Sequence, residues 1–379
     1  MPTAVVTSVH PVGIGLAVGT HHLARELSRR GWRVALISDP ASLVHVLGAP
    51  WHASARERVR VALRGPGTDD GVIVVTPLTV LPLARTFGVG SRSILRLWPW
   101  LSRPILPRYL ARQGFRNVDL LFFDGPLPAT LVDVLHPRRT VLRLFDDTSE
   151  EPPWPPALAK EAERLAAAAD LVAITAPSLA GRARALGARR IHLMPNGADL
   201  AHFATPAPEP PDIAALPRPR IVYAGAIASW VDVELMDEVA RRMPKASFIW
   251  IGPNGATTIK PRPNVHVLGP RPYAALPGYL QHCDIGVIPF NRERHPRLVD
   301  SIHPLKLYDY LAAGLPVVAA PWAELRRIAP PITFASTVEE FHAGVAAAAN
   351  TGRIDARTFL TGATWTARVD DLLSALGVG

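Results

Sequence analysis

Lysine is scarce in this chain, which makes Lys306 conspicuous. It lies in Asp300-Ser301-Ile302-His303-Pro304-Leu305-Lys306-Leu307-Tyr308-Asp309-Tyr310-Leu311-Ala312-Ala313-Gly314-Leu315-Pro316-Val317-Val318. Pro304 suits the first turn of a helix and Gly314 suits its end. Lys306 then falls in the first turn, beside the positive end of the helix dipole, an unfavourable place unless an anion sits there too. A diphosphate would supply that anion. Asp309 follows three residues later on about the same face, where a carboxylate could accept hydrogen bonds from two ribose hydroxyls. Ser301, His303 and Leu307 are placed with them as ligand contacts. The alternative is an exposed Lys–Asp pair worth well under about 1 kcal/mol, and residue types alone do not separate the two.

A second cluster is Leu142-Arg143-Leu144-Phe145-Asp146-Asp147. Two carboxylates at the end of a strand are candidates for a general base, since burial and a neighbouring charge raise a carboxyl pKa toward a useful value. Asp146 is assigned that role and Asp147 that of orienter or cap, a common task for aspartate. The first apolar run ends in Ser8-Val9-His10-Pro11-Val12-Gly13-Ile14-Gly15. There Gly13 and Gly15 let the backbone approach a ligand, and His10 is an acceptor contact. A dinucleotide fingerprint needs a third glycine at position 18, which is Val, although Asp39 stands where an acidic residue would be required. A glycine-rich entrance to an acceptor site is the preferred reading. Gly225-Ala226-Ile227, between a strand and a helix, could turn main-chain N–H groups toward a diphosphate. Arg271 would add charge, and Phe290 could stack on a base or pack inside. His21 and His22 point to different faces of a helix, so no metal site is expected.

These residues need a scaffold. Strands are predicted at 3–9, 33–38, 72–76, 118–123, 140–145, 171–175 and 191–194, with helices such as 21–30 and 156–169 between some of them. A proline-rich run, 205–219, reads as a linker. The alternation then restarts, with strands at 220–224, 247–251, 265–268, 285–289, 316–319 and 332–335, and helices at 232–243, 273–281, 305–313 and 338–350. Such alternation implies parallel, doubly wound sheets. The expectation is α/β: an acceptor-binding domain over 1–200 and a nucleotide-binding domain over 201–362. The helical tail, 363–379, is free to pack back on the first. Ligands of such sheets sit beyond the carboxyl ends of the strands, so the two domains are expected to face each other across a cleft.

Residues 91–114 read SRSILRLWPWLSRPILPRYLARQG. Five arginines interleave with Trp98, Trp100 and aliphatic residues, and Pro99, Pro104 and Pro107 forbid one continuous helix. Short amphipathic pieces of this kind suit a membrane interface, and each arginine adds up to about 1 kcal/mol near an anionic surface. Trp98 and Trp100 are also taken as acceptor contacts. The alternative is an internal cover on the first sheet. The net charge of +9 favours anionic partners. No nucleic-acid-binding module is recognisable. One cysteine, Cys283, excludes an internal disulfide, and no apolar run approaches the 18 residues of a membrane span. The start, MPTAVVTSVHPVG, shows no secretory leader, and a cytoplasmic setting is expected.

Residues 304–318 resemble the donor-site helix of GT-B glycosyltransferases in the group 1 superfamily. The pattern over 13–38 and Pro195-Asn196-Gly197-Ala198-Asp199 are similar to theirs as well. Within that superfamily the chain looks most like the bacterial exopolysaccharide enzymes that include the xanthan glucuronosyltransferase. The resemblance implies two Rossmann-like domains and transfer of a sugar from a nucleotide-diphosphate sugar, expected to be UDP-linked. The implied acceptor is a glycan or polyprenyl-diphosphate-linked hydroxyl at the cytoplasmic face of the membrane. It places Asp146 at the catalytic base, Lys306 at the donor-phosphate lysine and Asp309 where many relatives bind ribose. Retaining members often carry two glutamates seven residues apart; here Ile302 and Asp309 occupy those positions, which favours inversion. No metal or cofactor is implied. A sugar-nucleotide epimerase or hydrolase, or a silent nucleotide-sugar-binding partner, would share the donor motif.

Overall fold

The structure is a computed structural model describing residues 1–13, 17–43, 53–80, 92–150, 155–255 and 257–378. Gly15 and Ser91 fall outside them. The chain divides into two units, Met1–Pro195 with Val369–Gly379, and Asn196–Arg368.

The strands of the first unit are β1 (Thr3–Ser8), β2 (Arg33–Ser38), β3 (Ala41–Ser42), β4 (Gly67–Asp69), β5 (Val72–Val75), β6 (Leu78–Thr79), β7 (Leu120–Phe123), β8 (Arg139–Leu144), β9 (Leu171–Ile174) and β10 (Ile191–Leu193). Eight of them form one sheet in the order β10-β9-β8-β7-β1-β2-β5-β4, and β3 pairs with β6 in a small ribbon. Every pairing in the large sheet is parallel except β4–β5. Parallel strands covered on both faces read as continuous apolar runs, as in Leu120–Phe123. Alternate residues feed two apolar layers. Val5, Ile37, Leu121 and Leu142 pack with Leu106, Leu110 and Leu165. Val6, Leu36, Phe122 and Val141 pack on the other face with Leu23 and Leu27 of helix Gly19–Arg29. Helix Trp365–Leu376 joins that second layer through Val369, Leu372, Leu373 and Leu376. It is pinned by Arg30–Asp370 (2.6 Å) and His192–Asp371 (2.7 Å) contacts and by Arg139 Nε donating to Leu376 O.

The second unit holds β11 (Arg220–Ala224), β12 (Ser247–Ile251), β13 (Val265–Gly269), β14 (Ile285–Ile288), β15 (Val317–Ala319) and β16 (Thr333–Phe334). They form an all-parallel sheet in the order β13-β12-β11-β14-β15-β16. The run 205–219 is not the loose linker its prolines suggested. It contains a helical turn, Pro211–Ala214, whose Ile213 is fully buried in this unit's core. Glu209 pairs with Arg220, and Asp212 with Arg271. Proline fixes φ without preventing packing, so composition alone misleads there.

Strand order locates the sites. In the first sheet β1 lies between β7 and β2; in the second, β11 lies between β14 and β12. At such switch points the loops beyond the carboxyl ends part and leave a crevice.

Candidate active site

Four strand ends converge in the first unit. Asp124 follows β7. Its Oδ1 accepts from Arg143 Nη1 at 3.0 Å, its Oδ2 from Thr20 Oγ1 at 3.3 Å, and its N–H donates to Thr7 Oγ1 at 3.2 Å. Both members of the Asp124–Arg143 pair are buried. Burial raises the Asp124 carboxyl pKa, against the pull of Arg143. Thr20 Oγ1 also lies 3.1 Å from Ser8 Oγ, whose hydroxyl can donate to it, and His21 Nε2 lies 3.0 Å from His10 O. An imidazole nitrogen facing a carbonyl is the protonated one, and burial lowers the His21 pKa to about 4, so His21 is a neutral donor. It therefore fixes the loop carrying His10 and Gly13. His10 is half-buried, its own pKa lowered to about 4 by burial first and then by Arg58. Asp39, beyond β2, is pushed up to about 6 by desolvation, with Arg58 opposing and Asp124 reinforcing.

Asp146 stands two residues past β8 and is half-buried. Its carbonyl accepts from Arg182 Nη1 at 3.1 Å, and Arg182 Nη2 donates to Thr148 Oγ1 at 3.2 Å. Asp147 turns away to cap the following 3-10 turn: Oδ1 accepts from Ser149 N–H at 3.0 Å and lies 3.5 Å from Arg182. Asp39, Asp124, Arg143, Asp146 and Arg182 line one cavity of about 210 Å³ whose remaining wall is largely apolar. Sequence reading named Asp146 and missed Asp124 as a site residue. Yet Asp124 immediately follows an apolar strand, the same signal that pointed to Asp146.

Trp98 departs from expectation. It is 1% exposed, with Nε1 donating to Leu127 O at 3.3 Å. It anchors residues 95–110 to the first sheet and is not available to an acceptor or a membrane. Trp100 is 47% exposed, beside exposed Leu97, Leu101 and Ile105. The stretch therefore serves as an internal cover on one face and an apolar surface on the other.

In the second unit Lys306 is in the first turn of helix Leu305–Ala312. Its Nζ lies 4.9 Å from the Tyr223 ring centroid and 4.6 Å from that of Phe290, so two aromatic faces hold the ammonium. Phe290 is buried and packs on Trp322, so it forms a floor for Lys306. Gly225, at φ +147°, leaves the space that the lysine occupies: a Cβ there would lie 2.8 Å from Lys306 Cε. At Gly252, φ +140°, a Cβ would collide with the Gly225 carbonyl.

Other expected contacts are otherwise engaged. The N–H groups of Gly225 and Ile227 donate to Ile251 O (2.8 Å) and Pro253 O (2.9 Å). The Gly225–Ile227 turn thus offers a ligand at most the N–H of Ala226, whose carbonyl accepts from Tyr223 OH. Ser301 Oγ donates to Leu298 O. His303 is buried, with Nδ1 2.8 Å from Glu324 Oε1 and Nε2 2.6 Å from Tyr308 OH. Both side chains brace the loop before the helix. The Leu307 side chain is in the core, which leaves only its main chain near the helix start. Arg271 is tied to Asp212 (2.8 Å) and Tyr279 (2.8 Å).

Asp309 is half-buried, its carboxyl pushed up to about 8 by desolvation first and by Asp199 second, with Lys306 opposing. A folded-state pKa above the unfolded value of about 3.9 means that the fold keeps a proton the unfolded chain has released. This group's contribution to stability therefore falls as pH rises from about 4 to 8 and is level above. Asp309→Asn removes that slope. The variant is expected to out-melt the wild type by more at pH 9 than at pH 5 in thermal melts without ligand; an equal margin at both would refute it.

Residues 218–349 match the family described as Glycosyl transferases group 1, and residues 6–175 match the glucuronosyltransferase GumK N-terminal domain. The chain is a group 1 glycosyltransferase of the GT-B fold. This glycosyltransferase is 28% identical over 156 residues to the Bacillus subtilis protein TuaH, which carries the name teichuronic acid biosynthesis glycosyltransferase. That alignment covers 39% of this chain and 38% of TuaH. Among solved structures, sucrose-phosphate synthase from Thermosynechococcus elongatus superposes with a TM-score of 0.68 at 15% identity, over 99% of this chain and 98% of that one. A trehalose-phosphate synthase from Burkholderia xenovorans gives 0.65 at 13%, over the whole of both chains. Anabaena HepE, solved with UDP and glucose, gives 0.54 at 16%, over 99% and 95%. These likenesses concern fold.

Proposed function

We propose that the protein moves a sugar from a UDP-linked donor to a hydroxyl of a lipid-linked glycan in cell-surface polysaccharide synthesis, with inversion and with Asp146 as base. The observation that carries this reading is Lys306, held between Tyr223 and Phe290 at a helix start on the switch point of the second sheet. Lys306 and the helix N–H groups would stabilise the charge that develops on the departing diphosphate. Asp309 would hold the ribose. Asp146 would take the acceptor proton as its oxygen attacks the anomeric carbon and the carbon–phosphate-oxygen bond breaks. Ile302 supplies no carboxylate where retaining relatives carry one. The UDP assignment is supported by HepE having been solved with UDP, and the pathway class by the name of TuaH. No role is assigned to a metal.

A thermal-shift panel of UDP-, GDP- and ADP-sugars tests the donor. A ligand that binds only the folded state stabilises it by about 2.7 kcal/mol at 100 Kd and so raises the melting temperature. UDP-sugars are expected to shift it and the others not. Product analysis with and without a lipid-linked acceptor then separates transfer from donor hydrolysis or epimerisation.

The acceptor is taken to be polyprenyl-diphosphate-linked and to be met at the cytoplasmic face of the membrane through residues 91–114. Exposed Leu97, Trp100, Leu101 and Ile105 beside exposed Arg96, Arg103 and Arg108 support this. No helix among the described residues is long and apolar enough to cross a membrane. The double variant Trp100→Ala/Leu101→Ala is expected to lose most co-sedimentation with vesicles containing anionic lipid, at unchanged melting temperature. Undiminished binding would move the membrane contact elsewhere.

A further inference from the structure

The cavity beside Asp146 has an unusual wall for a sugar site. Val9, Pro126, Leu127, Leu158, Ala162 and Leu186 form much of it. Of its charged side chains, Asp124 is engaged with Arg143 and Thr20, and Arg182 with the Asp146 carbonyl, Asp147 and Thr148, while the carboxylates of Asp39 and Asp146 also line it. A buried sugar presents several hydroxyls, each of which needs a partner, and leaving one unmet costs about 1–3 kcal/mol. An apolar group needs none. The volume, about 210 Å³, exceeds the ~150 Å³ of an apolar cavity that takes up benzene.

A second observation says where such a group would come from. Leu127 and Leu158, two wall residues, pack with Leu95 in one small apolar cluster. The Leu127 carbonyl is the acceptor for Trp98 Nε1. Leu95 and Trp98 are the buried side of the stretch whose other side exposes Leu97, Trp100, Leu101 and Ile105. The cavity wall and the exposed apolar surface thus meet in the same stretch, through Leu95 and Trp98.

We propose that this cavity receives the head-proximal part of the acceptor's prenyl chain, so that the lipid and not only the sugar positions the acceptor against Asp146. This rests on the lipid-linked acceptor proposed above.

The probe is farnesyl monophosphate, with inorganic phosphate as the comparison. Wild type is expected to bind farnesyl monophosphate by calorimetry and to ignore phosphate alone. Ala162→Phe, which fills the cavity, is expected to weaken binding at least about tenfold while keeping the UDP-induced thermal shift of the wild type. Unchanged affinity in that variant, or equal binding of phosphate, overturns the proposal. Ala162→Cys gives an independent reading should the Ala162→Phe variant not fold. Cys283, the chain's one native cysteine, is buried with its thiol pushed up to about 12, so it stays silent toward maleimides. Farnesyl monophosphate is expected to protect the new thiol from alkylation. No protection, or a thiol that never reacts because the cavity is sealed, overturns the proposal. Farnesyl binding without any nucleotide shift would instead count against the transferase reading alone.

Discussion

Asp146→Asn is expected to lower turnover by about 10²–10⁴-fold, the usual share of a positioned general base, while the thermal shift produced by a UDP-sugar stays as in the wild type. The asymmetry follows from placement. Asp146 belongs to the first unit's cavity, whereas the donor residues all lie in the second unit. Its neighbour provides the internal comparison. Asp147 caps the Ser149 N–H and faces Arg182, so Asp147→Asn is expected to lower the melting temperature slightly and to leave most activity. Steady-state rates and melts on the two variants decide between them. If Asp146→Asn keeps full activity, the base is another carboxylate, and Asp39 becomes the first candidate. Its carboxyl, pushed up to about 6, lines the same cavity. An Asp39 base would show a rate falling as pH drops through about 6, a limb absent from Asp39→Asn.

Lys306→Ala is expected to abolish the UDP-sugar thermal shift and to lower kcat by about 10²–10³-fold, the scale seen when one donor is removed from a site where transition-state charge develops. Two aromatic faces and a glycine turn hold this ammonium in place, so little is lost in orienting it when substrate arrives. Lys306→Arg is expected to recover little. The lysine already fills the space over Gly225, where even a Cβ would lie 2.8 Å from Cε, and a planar guanidinium is wider than an ammonium. Calorimetry with UDP and single-turnover rates separate lost binding from lost catalysis. A variant that still binds and turns over normally would remove Lys306 from the donor site.

Some of this was written locally in the chain and some was not. The helix carrying Lys306 has a proline before it and a glycine after it, so its place and its unfavoured cation could be read directly. The core strands were similarly plain, because parallel strands buried on both faces are uninterrupted apolar runs. The network under the loops beyond β1 and β7 was not. Thr7, Thr20, Asp124 and Arg143 come from β1, a helix start, the residue after β7, and β8, and Asp124 meets Thr7 across 117 residues. No local pattern encodes such a meeting; only strand order creates it. Trp98 and Trp100 show another limit. They are two residues apart and equally amphipathic, but a short helix followed by a turn sends one inward and the other outward. The Gly225–Ile227 turn shows a third. Glycines mark a close approach, but here the approach is to the neighbouring strand end at Gly252 and to Lys306, and two of the three N–H groups are spent on that.

The helix Trp365–Leu376 has a consequence for biosynthesis. Its Leu372 and Val369 are fully buried among Val6, Leu23 and Phe122, residues made hundreds of positions earlier. Nascent domains usually fold in order of emergence, but the first unit is split: an apolar strip of its sheet stays uncovered until residues 369–379, made after the whole of the second unit, have joined it. A stop codon or a protease that removes only those residues would therefore strike the half of the protein that was translated first.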